Sequence, residues 1–376
     1  MIVGIVQQLV GHVGGNDKVL EALFEVFKDD EIHLFTLSAC SNITSMTKDS
    51  SNITVLDFPT TEVPIRLTDY SKLVIHTKIP VHIPLLGIYQ KFIMSIFEFI
   101  SFKIKHIDEY SNCDIVISTT GYSAKTNKKL IIYDQNNLGN EFNNITPLKY
   151  QKGLWKLYYL PFRIFNRPKQ VKDAKYISNS EYLSTELFNA SGIKSSVIYP
   201  SVHVNEFYEL PKVSQICVVG RISPEKNLEN TIDILNEVNH KCIIFGNVTL
   251  SNKRYFEKLK NKAKSHIVFL DNLPREKLLE LMAESKVIFS SSKETFGITT
   301  VEGIASGCIP IVPNNSAHPE IVIDSTLRYD TNDEAVRTLN RVMSEDYNID
   351  MEPLKQHIKN FSFENFVKRV REECKS

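Results

Sequence analysis

The sequence predicts an α/β protein made of two doubly wound domains. Three observations predict it. Short β-branched runs alternate with amphipathic helical stretches in both halves, the pattern of parallel sheets joined by right-handed crossovers. The chain has 376 residues, more than one hydrophobic core usually supports. Polar residues and proline interrupt the apolar runs at HVNEFYELPK, residues 203–212, which marks the break between the domains.

The first half opens with an apolar run at 2–7, read as a strand, and a Gly-containing loop, GHVGG, at 11–15. Residues 16–27 place Val19, Leu20, Leu23, Phe24 and Phe27 at helical spacing, with Asn16 as the N-cap. A second strand follows at 31–37, and further strands at 114–118, 129–134, 175–180 and 196–200. The segments 80–107 and 152–167 are aromatic-rich and less regular. No internal repeat or low-complexity tract is present.

The second half repeats the alternation. Strands are expected at 215–220, 242–246, 266–270, 286–290 and 309–313. Helices are expected at 227–238, with Leu228, Ile232, Leu235 and Val238 on one stripe, and at 275–285. A third helix at 299–307 ends at Gly307, a natural residue just past a helix. The terminal stretch 362–376 is amphipathic, with Ser362 as its N-cap.

Composition excludes several classes. Lys plus Arg and Asp plus Glu are both 44, so no global field favours nucleic acid, and no nucleic-acid partner is expected. Six cysteines (Cys40, Cys113, Cys217, Cys242, Cys308 and Cys374) form no CxxC pair and no metal-ligand spacing with histidine. A reducing cytoplasm is the natural setting, and the sequons at Asn42 and Asn144 read as chance. The first residues lack a basic leader and read as a strand. The most apolar stretch, 92–104, carries Glu98 and Lys103 and falls short of the roughly 18 apolar residues of a span.

Ligands of open α/β sheets bind beyond the carboxyl ends of the strands. Three loops of the second half carry chemistry there. In GRISPEKNL, residues 220–228, Arg221 and Lys226 stand beside a helix start and suit a diphosphate; the alternative is two solvated surface cations. In SSSKETFGITTVEGIASG, residues 290–307, Glu294 sits at a strand end and Glu302 about one turn into the next helix. Carboxylates bind sugar hydroxyls because each oxygen accepts two hydrogen bonds. Gly297 permits close backbone approach, and the N–H groups of Gly297, Ile298 and Thr299 can face a phosphate. The alternative is one capping and one solvated glutamate. In FLDNLPREKL, residues 269–278, Asn272 and Leu273 can line a base pocket, a weak signal by itself.

Together these stretches resemble the GT-B glycosyltransferases of family 4, the group-1 retaining type. The ordered signature is G-R-x-x-x-E-K-N at 220–227, NLPREKL at 272–278, and ETFGITTVE at 294–302 followed by A-S-G-C-I-P-I-V. The first half matches less tightly, through G-G-N-D at 14–17 and residues 178–207, and residues 361–372 resemble the family's terminal helix. The resemblance implies a GT-B fold: two doubly wound Rossmann-like domains facing a central cleft. An acceptor-side domain of residues 1–207, with helix 362–376 packing back on it, would accompany a donor-binding domain of residues 208–361.

It further implies that Arg221 and Lys226 bind the donor diphosphate and that Glu294 holds hydroxyls of the transferred sugar. Phe296, Gly297, Ile298 and Thr299 would offer backbone N–H groups, Glu302 would bind the ribose, and Gly14 and Gly15 would let the first domain close over the donor. The reaction implied is retaining transfer of a hexose, mannose as first expectation, from a nucleotide sugar to a glycan or lipid-linked acceptor. No cofactor or metal is expected, and the chain has no Asp-x-Asp. Many members carry a histidine after the strand matching 129–134; here the stretch reads YDQNNLGN, and Gln135 or Asn136 takes that place. The stretches 196–207 and 294–312 look most like mannosyltransferases of lipid-linked oligosaccharide assembly. The aromatic and basic run 149–167 suits the cytoplasmic face of a membrane, with core helices as the alternative. The competing readings on this fold are an epimerase and a non-catalytic GT-B module.

Overall fold

The computed structural model describes residues 1–7, 9–10, 15–39, 53–55, 72–79, 107–109, 111–119, 126–135, 171, 173–248, 252–271 and 273–375. They form two compact units: 1–201 with 366–376, and 202–365.

The first unit holds β1 (Ile2–Val6), β2 (Leu9–Val10), helix α1 (Gly15–Val26), β3 (Glu31–Ala39), β4 (Ile53–Val55), β5 (Lys72–Ile79), β6 (Ile115–Ser118), β7 (Lys129–Asp134), β8 (Ala174–Ser178), α2 (Glu181–Ser191) and β9 (Ser196–Val197). The strands form one sheet in the order β4-β5-β3-β1-β6-β7-β8-β9, with β2 alongside β3. The described pairings are parallel. The sheet buries continuous apolar runs because helices cover a parallel sheet on both faces; Val3, Ile5, Val116 and Ile132 are all at most 1% exposed. Ser180 caps α2 by accepting from the Leu183 N–H at 3.0 Å. Helix α1 begins at Gly15, so Asn16 lies inside it and is not the cap the sequence suggested.

The second unit holds β10 (Val213–Val219), α3 (Leu228–Asn236), β11 (Lys241–Gly246), α4 (Lys253–Lys262), β12 (Ile267–Asp271), α5 (Arg275–Glu284), β13 (Ser285–Phe289), α6 (Ile298–Ala305), β14 (Ile309–Pro313), β15 (Arg328–Tyr329), α7 (Asn332–Met343) and α8 (Glu352–Ile358). Its strand order is β12-β11-β10-β13-β14-β15, again with parallel pairings. The last helix, α9 (Phe363–Lys375), follows. Ser362 accepts from the Asn365 N–H at 3.4 Å, as expected of its cap. Gly307 follows α6 with φ 76°.

Three packing features matter for the site. The stripe expected on α3 is buried, from Leu228 through Val238, so the loop before it is held against the sheet. Gly246 closes β11 so near β10 that a Cβ there would stand 2.0 Å from the Gly220 carbonyl oxygen. The Lys212 ammonium donates to the Ala283 carbonyl at 2.7 Å and the Ser306 carbonyl at 2.6 Å, the carboxyl ends of α5 and α6. Among the described residues no helix is long and apolar enough to cross a membrane.

Candidate functional site

The second sheet reverses its winding between β10 and β13. The chain leaves β10 for β11 on one side and reaches β14 through β13 on the other. Such a switch point leaves a crevice at the carboxyl edge. A small pocket, partly open to solvent, lies there. Gly220, Lys226, Glu294, Gly297, Thr299 and His318 are among its lining residues.

The loop after β10 runs through a single 3-10 turn, Pro224–Lys226, and Asn227 in the left-handed region (φ 51°) before α3 begins. This turn projects Lys226 toward the loop after β13. Its Nζ donates to Glu294 Oε1 at 2.7 Å and Oε2 at 3.0 Å. The Ser292 hydroxyl adds a third bond to Oε1 at 2.6 Å. Burial works against the Glu294 carboxylate. The Lys226 ammonium and the Lys226 and Ser292 hydrogen bonds outweigh it and hold the acid below its ordinary range.

Gly297 then turns the chain into α6 with φ 108° and ψ 52°, a conformation side chains rarely adopt. A Cβ there would also meet the His318 ring, 3.0 Å from Cε1. The first amides of α6 lack intrahelical acceptors, and Gly297 and Thr299 line the pocket. A cation, a held carboxylate and a helix start therefore converge. The set can accept an anion and a neighbouring hydroxylated group together.

The other residues singled out in the sequence fall elsewhere. Arg221 is 55% exposed and pairs with Glu225 at 3.6 Å, not with Glu294. Glu302 is 8% exposed, deeper along α6, and is not among the pocket-lining residues. The Phe296 ring is buried edge-on against Phe361, leaving its backbone as the part a ligand can use. Leu273 packs on the apolar cluster of Cys217, Ile243 and Phe245. Gly15 opens α1. Gly14, Asn272, Asn136 and the segments 80–106 and 149–167 lie outside the described residues.

At the carboxyl edge of the first sheet Gln135 is buried, and its Nε2 donates to the Thr119 carbonyl at 3.0 Å. The Thr119 hydroxyl donates to Gln7 Oε1 at 2.8 Å. Gln7 Nε2 in turn donates to Asp17 at 2.9 Å. Beside the first unit's own switch point, between β1 and β6, the amide side chains are thus engaged in a polar chain.

His318, in the loop after β14, was not singled out in the sequence. It is fully buried, with Nδ1 3.4 Å from the Thr300 hydroxyl. Burial lowers its pKa to about 4, against the pull of the Glu294 carboxylate. The ring is therefore neutral in the folded state, whereas an unfolded histidine titrates near 6.5. The stability this provides is present above pH about 6.5 and is lost as pH falls toward 4. At pH 5 the second unit should be about 2 kcal/mol less stable than at pH 7 from this group alone. Denaturant titration at the two pH values checks this, and a flat stability between them would contradict it.

Known proteins resemble the chain in sequence over part of its length and in fold over nearly all of it. Residues 206–361 match the family model for glycosyl transferases group 1. The chain is similar to the tRNA-queuosine alpha-mannosyltransferase of Drosophila melanogaster, 28% identical over 155 residues, 38% of this chain and 39% of that protein. It is similar too to the GDP-Man:Man(3)GlcNAc(2)-PP-Dol alpha-1,2-mannosyltransferase of Caenorhabditis elegans, 26% identical over 154 residues, 34% of this chain and 33% of that protein. The chain thus spans less than half the length of these curated relatives. The crystal structure of Anabaena HepE in complex with UDP-glucose aligns with a TM-score of 0.69 at 14% identity, over 100% of this chain and 99% of that one. At that identity the likeness is one of fold. The chain thus has the GT-B fold, and its residues 206–361 resemble the glycosyl transferases of group 1, mannosyltransferases among them.

Proposed function

We propose that the protein is a retaining glycosyltransferase that moves a hexose, mannose first, from a nucleoside diphosphate sugar to a glycan or lipid-linked acceptor. The observation that carries this reading is the Lys226–Glu294 pair at the switch point, facing the glycine-led start of α6. The diphosphate sits against Lys226 and the first α6 amides, with Arg221 reaching it from the exposed side of its loop. Glu294 accepts from the sugar hydroxyls, and Glu302 serves the ribose. The bond from the anomeric carbon to the diphosphate breaks as the acceptor oxygen attacks on the same face. The acceptor proton passes to the departing phosphate oxygen. The positive side chains stabilise the charge that develops there, and no metal enters the scheme.

Mannose is favoured by the names of the curated relatives, and a nucleoside diphosphate sugar by the ligand of the HepE structure. Screening GDP-mannose, UDP-glucose and UDP-N-acetylglucosamine for hydrolysis and thermal stabilisation tests the reading. Inertness toward all three would sink it. Lys226→Ala should weaken nucleoside diphosphate binding by about 2 kcal/mol, roughly thirtyfold, as expected for a charge-assisted bond. Calorimetry with UDP and GDP measures this, and unchanged affinity removes Lys226 from the diphosphate site. Peripheral contact with an anionic membrane belongs to the same reading, motivated by the run 149–167. Co-sedimentation with anionic and neutral vesicles distinguishes it from a soluble acceptor; no anionic preference counts against it.

A further inference from the structure

The proposed scheme uses Lys226, Glu294 and the start of α6, and gives no part to His318. Packing does not explain this imidazole. Its Nε2 is buried without a well-aligned hydrogen-bond partner, although the Ser292 backbone interacts with the ring, and a poorly paired buried nitrogen costs stability that a phenyl ring in the same space would not. Residues that break a local rule in this way concentrate at functional sites.

We propose that His318 is a positioning residue for sugar transfer: its ring fills the space behind Gly297 and fixes the Glu294 turn and the first turn of α6 in one arrangement. The inference rests on the transfer reading above. Three contacts carry it. The ring edge occupies the volume beside Gly297, with Cε1 and Nδ1 at 3.0 and 3.1 Å from where a Cβ would stand. Nδ1 lies 3.4 Å from the Thr300 hydroxyl, in the first turn of α6. The preceding Ala317 N–H donates to the Glu294 carbonyl at 3.1 Å. One short segment thus grips both the residue that bears the carboxylate and the helix that offers the amides. The neutral ring also leaves the Glu294 carboxylate to Lys226, which a second cation would contest. His318 borders the same pocket, but Nε2 is inaccessible, so that nitrogen acts through the neighbouring backbone rather than on the ligand.

His318→Phe keeps the ring volume, and His318→Asn restores a polar group near Nδ1. For each, melting temperature, UDP and GDP affinity, and turnover of the preferred nucleotide sugar are measured. His318→Phe should fold, bind the nucleoside diphosphate within about threefold of wild type, and lose at least about tenfold in kcat; His318→Asn should recover most of that loss. Wild-type turnover in His318→Phe overturns the inference. So does a parallel decline of melting, binding and turnover in both variants, which marks a purely structural role. If neither folds, Thr300→Val removes the Nδ1 contact alone. A lower kcat with retained binding supports the inference, and an unchanged kcat overturns it. A wild-type protein inert to every nucleotide sugar overturns the transfer reading itself, and the role of His318 with it.

Discussion

Replacing Glu294 with glutamine should lower turnover about a hundredfold, close to 3 kcal/mol of barrier, while nucleoside diphosphate binding stays within a few-fold. The side chain keeps its size, and its carbonyl can still accept from Ser292. What disappears is the charge, with its two contacts to Lys226 at 2.7 and 3.0 Å. A neutral amide holds sugar hydroxyls less strongly, because charged acceptors make hydrogen bonds roughly twice as strong as neutral ones. The diphosphate contacts are proposed to lie on Lys226 and α6, so the nucleotide itself should hardly notice. Steady-state kinetics beside calorimetry with UDP and GDP separate the two effects. A variant that turns over like wild type would show that the carboxylate serves only to neutralise Lys226.

Gly246→Ala should destabilise the second unit by about 3 kcal/mol, near the upper end for overpacking. The new methyl would sit 2.0 Å from the Gly220 carbonyl oxygen and 2.9 Å from the Ile222 side chain. A flexible side chain can move aside, but Gly220 is backbone at the end of a central strand, and its N–H is tied to the Phe245 carbonyl at 3.0 Å. Relief requires β10 and β11 to separate. The unfolding midpoint should fall by roughly 6–10 °C for a unit of this size. Nucleotide affinity should fall as well, because Gly220 begins the loop that carries Lys226. An alanine variant with wild-type melting would mean that the two strand ends are less closely packed than described.

Much of this was legible in the residues. Strands at 129–134 and 309–313 fall as expected, because uninterrupted apolar runs of that length fit a sheet covered on both faces. Helix α4 was not foreseen: KRYFEKLKNK buries little beyond Leu259, so its apolar stripe is too thin to register as a period. Helix α7 was missed although Thr331 and Glu334 form a capping box, a signal carried by four residues and easily passed over. Strand β5, KLVIHTKI, has its apolar run cut by His76 and Lys78. Lys226 and Glu294 were each identifiable, but their pairing was not. It depends on β10 and β13 being neighbours, a fact of strand order rather than of spacing. His318 gave only a weak signal, its place in a loop beyond a parallel strand.

The ammonium of Lys212 has a consequence for how the second unit comes apart. It holds the tails of α5 and α6 at once, and burial lowers its pKa against the pull of nearby acidic groups. If either helix frays from that end, the cation loses an acceptor it cannot cheaply replace. The two segments should therefore open as one cooperative block, with their slowest-exchanging amides sharing a common protection free energy. The amino end of α6, where the ligand is proposed to dock, would inherit its rigidity from a knot tied at the opposite end of the same helix.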